Sequence, residues 1–298
     1  MKNSCFIFCM VLIVSMAGAQ PGNPSKIKVL IIDGFSNHDW KQTTKITKQI
    51  LEQTGLFDVS VSTAPSTVAD TNRVNWAPQF PEYDVVIQNT NNINDTSIKW
   101  PPKIEDQFAD YVQSGGGVYI LHSGNNAFAH WKQYDTIIGL GWRNMNAGIA
   151  LQIGDNGKII RINPGEGKST FHGRRTDLVL NKFTDHPINK NYPMQWKAAD
   201  MELYQYARGP AVNVTVLSYA KDSATNINWP VEWLVKYGRG NVYNSSMGHL
   251  WKGDTYPPAY QCVAFQTSLI RAVEWLATGK VSYPVPRNFP GRDSVSLR

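Results

Sequence analysis

Cysteine is scarce in this chain: there are three in 298 residues, and Cys5 and Cys9 fall within the first nine, leaving Cys262 alone beyond them. A lone cysteine makes no internal disulfide, and nothing here resembles a cysteine-rich metal module. Charged residues are sparse too, at 17%, and the basic ones behind the formal net charge of +6 are scattered. Apart from the N-terminus and the tail, the tight basic pair is Arg174-Arg175. Without a basic stripe interleaved with aromatics, nucleic acid is excluded as a partner. No apolar run reaches the roughly 20 residues of a membrane span. Three catalytic signatures are also missing. The chain reads Tyr119-Ile120-Leu121-His122-Ser123-Gly124 where a nucleophile elbow would need G-x-S-x-G. Adjacent His122 and Ser123 also point different ways, so a serine triad is not expected. Gly115–Gly117 precede a strand, whereas a phosphate cradle of the G-x-G-x-x-G kind follows one. H-E-x-x-H is absent as well, so any metal ligands must come from distant parts of the chain.

The first nineteen residues read as a leader. Lys2 supplies the positive region, Phe6 to Val14 the apolar one, and Ala17-Gly18-Ala19 a cleavage site before Gln20. No cysteine follows that site, so a lipid anchor is not expected. The mature protein is then a secreted, periplasmic one that begins at Gln20, has no membrane partner, and carries a net charge of +5 once Lys2 is lost. The sequence carries no signal for an oligomeric state.

What the chain has in plenty is aromatic surface, with ten tryptophans and thirteen tyrosines. Most belong to ordinary packing. The rest suit a carbohydrate platform, because the C–H faces of sugars stack on aromatic rings. With 42% hydrophobic residues, the chain buries one sizeable core.

Apolar runs alternate with amphipathic stretches. KIKVLIIDG from Lys26 is a strand, and a helix follows to about Thr54 with Gly55 as its stop. Phe57, Val59 and Val61 alternate along a second strand, and Tyr83–Asn89 makes a third. A helix from Pro101 to the glycine triplet then leads into GGGVYILHSGNNAF. There a short apolar strand stops abruptly at His122, before a helix carrying Phe128, Trp131, Tyr134 and Ile138. This rhythm predicts an α/β fold: a doubly wound, mainly parallel sheet with helices on both faces. Residues 139–200 are rich in Gly, Asn and Pro and read as an insertion folding over the sheet edge, with β-like pieces at Ile149–Ile153 and Lys158–Ile162. The pattern resumes with strands Val214–Tyr219, Pro230–Tyr237 and Asn241–Met247, the last two joined through Gly238-Arg239-Gly240. A last helix is expected over Gln261–Thr278, and a Pro-rich tail from 280 to 298 lies extended over the surface. The whole of 20–298 is read as one domain with its core over about 26–279.

Ligands of parallel α/β sheets gather outside the carboxyl ends of the strands. Three of the six histidines fall there: His38 after the first strand, His122 after the fourth, and His249 after the late strand NVYNSSMGHL. His172 lies in the glycine-rich insertion, from which a loop can bring it over the site; His130 and His186 have weaker claims. Among the acids, Asp39 either caps the following helix or takes part in catalysis. Glu202 sits in DMELYQY, where flanking rings would restrict water and raise its pKa for acid–base work. Glu232 alternates opposite Val231, Trp233 and Val235, which favours an outward position. The expected catalytic set is therefore His38, Asp39, His122, His172, Glu202 and His249. Expected substrate contacts are Asn89, Ser123, Asn125, Trp142, Arg143, Tyr204 and Trp251. His38, His122 and His249 are candidate ligands for a divalent metal such as zinc, since neutral imidazoles favour first-row ions; alternatively, they hydrogen-bond sugar hydroxyls directly.

The residues in this order resemble the ThuA-like family, named for trehalose utilisation, within the class I glutamine amidotransferase-like superfamily. The resemblance spans Ile27 to Leu276. It is carried by GFSNHDW, GGGVYILHSGNNAF, Asp185-His186-Pro187-Ile188, ELYQY, and Tyr237-Gly238-Arg239-Gly240 running into Met247-Gly248-His249. It implies a flavodoxin-like sheet and a role in sugar metabolism. Amidotransferases place a nucleophilic cysteine after the corresponding strand; here that position is His122, and Cys262 lies in the last helix, so glutaminase chemistry is excluded. Family members carry a glycine-histidine-proline segment soon after the central helix. This chain reads GLGWRNMNAG there, resembling a divergent branch with Trp142-Arg143-Asn144 and His172-Gly173. The implied substrate is a glucoside, a disaccharide or a keto-sugar derivative. It would be handled by a hydrolase/lyase or isomerase, or held by a non-catalytic sugar-binding protein that has lost the superfamily's nucleophile.

Overall fold

The computed structural model describes residues 25–67, 69–70 and 75–298. The expected leader over residues 1–19 lies outside them. Among the described residues, no helix is long and apolar enough to cross a membrane.

Five parallel strands make the centre of the sheet. The chain runs β1 (Ile27–Asp33), α1 (Trp40–Glu52), β2 (Phe57–Thr63), β3 (Val85–Gln88), α2 (Pro102–Gln113), β4 (Gly117–Leu121) and α3 (Lys132–Ile138). An antiparallel stretch follows: β5 (Ile149–Ile153), β6 (Ile159–Ile162), β7 (Phe171–His172), β8 (Thr176–Lys182), β9 (Gln195–Met201), β10 (Tyr204–Gln205), β11 (Arg208–Gly209), β12 (Val214–Lys221) and β13 (Asn228–Tyr237). Last come β14 (Gly240–Ser245), α4 (Pro258–Gln261) and α5 (Val263–Thr278). The parallel strands stand in the order β2-β1-β3-β4-β14, which is flavodoxin-like. Alternate residues of each buried run feed opposite layers. Val29, Ile31, Val85 and Ile87 pack with Leu51 of α1 and Leu269 and Val273 of α5. Leu30, Ile32, Val86 and Ile120 pack with Phe108 of α2 and Tyr134 of α3. Helices thus cover both faces, as the continuous apolar runs demand.

The segment 139–200 extends the sheet where folding over its edge was expected. β13 pairs antiparallel with β14, β12 with β13, β8 with β12, and β9 with β8. β8 and β9 escape sequence reading because TDLVLNK is half-solvated, so its period is blurred. The expected last helix is split at Cys262, whose ψ of 117° is extended. There the backbone bridges to Leu297, while Val263 N–H donates to the Ser296 carbonyl at 2.9 Å. The tail is stitched to the body by these bonds.

Glu232 reverses its expected outward position. β13 has helices on both sides, so both its faces are buried, and Glu232 is only 2% exposed. Ser218 and Tyr243 donate hydrogen bonds to its two carboxyl oxygens. Burial pushes its pKa up, against the opposing effect of hydrogen bonds from Ser218, Tyr243 and Ser268. The folded state therefore holds this proton more tightly than the unfolded chain does. The resulting stability is fully present below the ordinary carboxyl range and declines as pH rises through it toward the raised folded value. Glu232→Gln keeps the shape and should remove that decline. Urea melts at pH 5 and pH 8 should show the variant gaining stability relative to the wild type between the two. Parallel pH profiles for the two proteins would contradict the assignment.

Candidate functional site

The carboxyl ends of β1, β4 and β14 deliver the three histidines. After β1 the chain turns at Gly34, whose φ is +131° and whose added Cβ would lie 2.1 Å from the Ala64 carbonyl oxygen. Beyond this turn, His38 lies in the loop that starts α1. His122 follows β4 directly with φ +38°, a left-handed conformation that L-residues with side chains rarely adopt. His249 follows Gly248, where φ is +85° and a Cβ would press on the Phe265 ring at 2.8 Å. Glu202 arrives from the antiparallel side, just after β9. β10 pairs with β7, setting Tyr204 opposite His172 and bringing both to the same place.

The three rings form a nearly equilateral triangle. Centroids lie 5.1 Å apart for His38–His122, 5.0 Å for His38–His249 and 5.2 Å for His122–His249, each pair close to perpendicular. Glu202 spans the group: its Oε2 is 3.6 Å from His122 Nε2, and its Oε1 is 3.2 Å from His249 Nε2 and 3.6 Å from His172 Nε2. One donor atom each from His38, His122, His249 and Glu202 can be chosen so that all four lie within 4.8 Å of one another. These four residues could share one cation. Aromatic walls rise on two sides. Trp251, 46% exposed, stacks parallel to His249 and edge-on to His38. Opposite, the Tyr204 hydroxyl lies 3.3 Å from His122 Nε2, and Trp142 packs on both Tyr204 and His172.

Burial, followed by the charges of the neighbouring imidazoles, pushes His38 down to about 2. Burial first and His122 second push His249 down to about 3. Both are neutral imidazoles at physiological pH. Burial alone would raise Glu202, as its aromatic neighbours suggest in sequence, but the surrounding imidazoles, His122 foremost and then His249 and His172, outweigh it. The net pKa falls to about 2. Glu202 is thus an ionised carboxylate rather than the raised acid expected.

Five expected residues build the scaffold instead. Asp39 caps α1, accepting from the Gln42 N–H at 3.1 Å. Asn89 donates to the Trp40 carbonyl and the Thr44 hydroxyl. Ser123 is buried against Ser36, with hydroxyls 3.4 Å apart, and Asn125 donates to the His122 carbonyl within the turn. Arg143, only 5% exposed, pairs with Asp135 at 2.8 Å and donates to the carbonyls of Asn125, Ala127 and Trp142. A strand-end address puts the backbone at the crevice, but the side chain can still point back into the fold. The weaker histidines stay away: His130 pairs with Glu105, and His186 caps a turn beside Trp275.

Other residues that matter here left little trace in sequence. Asn37, Asn91 and the Ser246 carbonyl orient two of the histidines. Arg175 reaches His249 Nδ1, Asp200 and Asp254. In sequence Arg175 was visible only as half of a charge pair, and Asn37 only as the neighbour of His38.

The assignment of Arg143 to the scaffold can be tested. Arg143→Met removes the buried partner of Asp135 and leaves it only the exposed Lys132 at 3.7 Å, and breaking a buried pair in this way costs about 3–5 kcal/mol. Chemical denaturation should show a loss of that order, partly recovered in the double variant Arg143→Met/Asp135→Leu. A variant of wild-type stability that no longer binds a sugar would return Arg143 to the substrate side.

Comparisons with known proteins agree with this fold. The ThuA family, described as trehalose utilisation, matches residues 28–276. A ThuA-like protein from Parabacteroides merdae is 35% identical, with a TM-score of 0.85 over 92% of this chain and 98% of its own. A second, from Bacteroides uniformis, shares the fold at 17% identity and a TM-score of 0.55, covering 88% of this chain and 98% of its own. None of the curated proteins matches. With the match running over most of its length, this chain belongs to the ThuA trehalose-utilisation family.

Proposed function

We propose that the protein is an exported, periplasmic enzyme acting on a glucoside, a disaccharide or a keto-sugar derivative, by hydrolase/lyase or isomerase chemistry. The observation that carries this reading is the convergence of His38, His122, His249 and Glu202 between aromatic walls at the carboxyl edge of the sheet. A sugar is the ligand that such walls favour, since Trp251 and Trp142 offer ring faces and edges to its C–H surface. The family's description as one of trehalose utilisation points the same way.

The residues divide the work by their exposure. His172 is the open member of the cluster, with 39% of its side chain exposed and its Nε2 3.6 Å from Glu202 Oε1. From there it exchanges a proton with a sugar hydroxyl or with the carbon beside a keto group, while Glu202, ionised, holds and orients the resulting imidazolium. Tyr204 can hydrogen-bond to a sugar oxygen above His122. Trp142 and Trp251 position the ring and exclude water from one side.

Incubating the mature protein with a panel of glucosides and 3-keto-glucosides should release products, followed by chromatography or NMR. His172→Ala and Glu202→Gln should each lower the rate about 10²-fold or more, the usual contribution of a positioned proton-transfer group. Tight binding across the panel without turnover would leave a sugar-binding protein in place of the enzyme. Export is checked separately: secreted material should begin at Gln20, and an N-terminus at Met1 would contradict it.

A further inference from the structure

We infer that His38, His122, His249 and Glu202 form a mononuclear site for a first-row divalent ion of the zinc type, bound through Nε2 of each imidazole and one carboxylate oxygen. This deepens the proposed function by naming the cation held at the same site, and it rests on that reading only for the use made of the metal.

Three observations carry it. The first is the pre-setting of two tautomers. His122 Nδ1 lies 2.8 Å from the Ser246 carbonyl oxygen, which can only accept, so Nδ1 bears the proton and the Nε2 lone pair faces the cluster, where the Tyr204 hydroxyl at 3.3 Å is the group an ion would displace. His38 Nδ1 lies 2.8 Å from Asn37 Oδ1, and that oxygen also accepts from the Asn91 side-chain amide at 2.6 Å. The oxygen is thereby identified as the acceptor, and His38 too is left with a bare Nε2. An outer acceptor on the far nitrogen is the arrangement found behind metal-ligating histidines.

The second observation is an orphan. His249 Nε2 is buried and, among the described residues, has no hydrogen-bond partner, although Glu202 Oε1 stands 3.2 Å away. Buried polar atoms rarely go unpartnered. The third is spacing. Ligands about 2.0–2.1 Å from a tetrahedral ion stand roughly 3.4 Å from each other. Glu202 Oε1 lies 3.2 Å from His249 Nε2 and Oε2 lies 3.6 Å from His122 Nε2, and one donor atom from each of the four residues lies within 4.8 Å of the other three, so a small contraction closes the set around an ion. The donor set decides the class of ion: three nitrogens with one oxygen suit zinc and its neighbours, whereas calcium and magnesium take oxygen ligands. When bound, such an ion would polarise a sugar carbonyl or activate water.

The same geometry assigns a role to Arg175. Its guanidinium donates to His249 Nδ1 at 3.2 Å, and to Asp200 and Asp254 as well. A guanidinium can only donate, so the bond it makes requires the proton of His249 to be on Nε2. Ligation through Nε2 needs the other tautomer, and Arg175 must then give up His249 and keep the two aspartates. Arg175 therefore competes with the ion for His249.

Untagged mature protein, stripped with a chelator, can be titrated with zinc by calorimetry, and with cobalt(II) by visible absorption. One equivalent should bind, with the cobalt bands of a low-coordinate nitrogen site. His122→Ala should abolish stoichiometric binding. Asn37→Ala, which leaves every ligand in place, should weaken it about 10- to 100-fold, the usual cost of losing an outer partner. Arg175→Met should tighten it. Wild-type protein that takes up no stoichiometric zinc or cobalt would overturn the inference, even if the sugar panel is turned over. So would equal zinc affinity in the wild type, His122→Ala and Asn37→Ala, which would mean an adventitious ion only. Stoichiometric zinc lost in these variants, with no turnover of any sugar, would uphold the metal site and refute the enzyme reading alone. Circular dichroism of Asn37→Ala keeps the test valid should His122→Ala fail to fold.

Discussion

The site depends on a negative charge brought almost out of water. Glu202 keeps only 13% of its side-chain exposure, yet it is ionised. Moving a carboxylate into such surroundings costs several kcal/mol unless partners replace its hydration. The nitrogens nearest to it come from three separate places in the chain: His122 and His249 at strand ends of the parallel sheet, and His172 on β7. The carboxylate itself comes from the antiparallel extension. The two halves of the sheet therefore meet at this charge, and the placement of each aromatic wall follows from it. Tyr204 lies two residues beyond Glu202, and Trp142 rests on Tyr204 and His172. Trp251 lies two residues beyond His249 and stacks on it.

Much of the parallel core was legible because burial on both faces leaves a simple mark: short unbroken apolar runs ended by glycine or a polar turn. The three histidines were legible for the same reason, since a strand end in such a sheet has only one edge to go to. Glu202 is marked by its aromatic neighbours, but they point to the wrong direction of titration, because the opposing imidazoles lie dozens of residues away. Glu232 and Arg143 show the converse. Alternation along β13 looks the same whether the second face meets water or a helix, and an arginine in a glycine-rich loop reads alike whether it lines a cleft or holds a loop from within. Asn37 and the Ser246 carbonyl act through single hydrogen bonds without a spacing or composition to mark them.

Buried guanidinium groups hold the irregular parts of the fold. Arg208, fully buried, donates to the carbonyls of Gly148, Asn163, Glu166 and Lys168. Arg271 does the same for Pro187, Ile188, Lys190 and Tyr283. Loops leave backbone carbonyls unpaired, and an arginine with five donors in a rigid fork can satisfy several at once. The antiparallel extension and the start of the tail are thereby kept in register with the helices beneath, without the apolar surface that would otherwise be needed.

The left-handed turn at His122 is held from outside the side chain. Gly124 lets the turn sit on the Gln88 carbonyl, where a Cβ would come within 2.8 Å, and Asn125 ties back to the His122 carbonyl. None of these supports touches the imidazole, so the backbone would present whatever side chain stood there at the same point above the sheet. Reactivity at this position is thus a replaceable part. A lineage can exchange an attacking group for one that binds or orients by a single codon change, with the architecture untouched. Kinship in shape among proteins built on this turn therefore says little about kinship in chemistry.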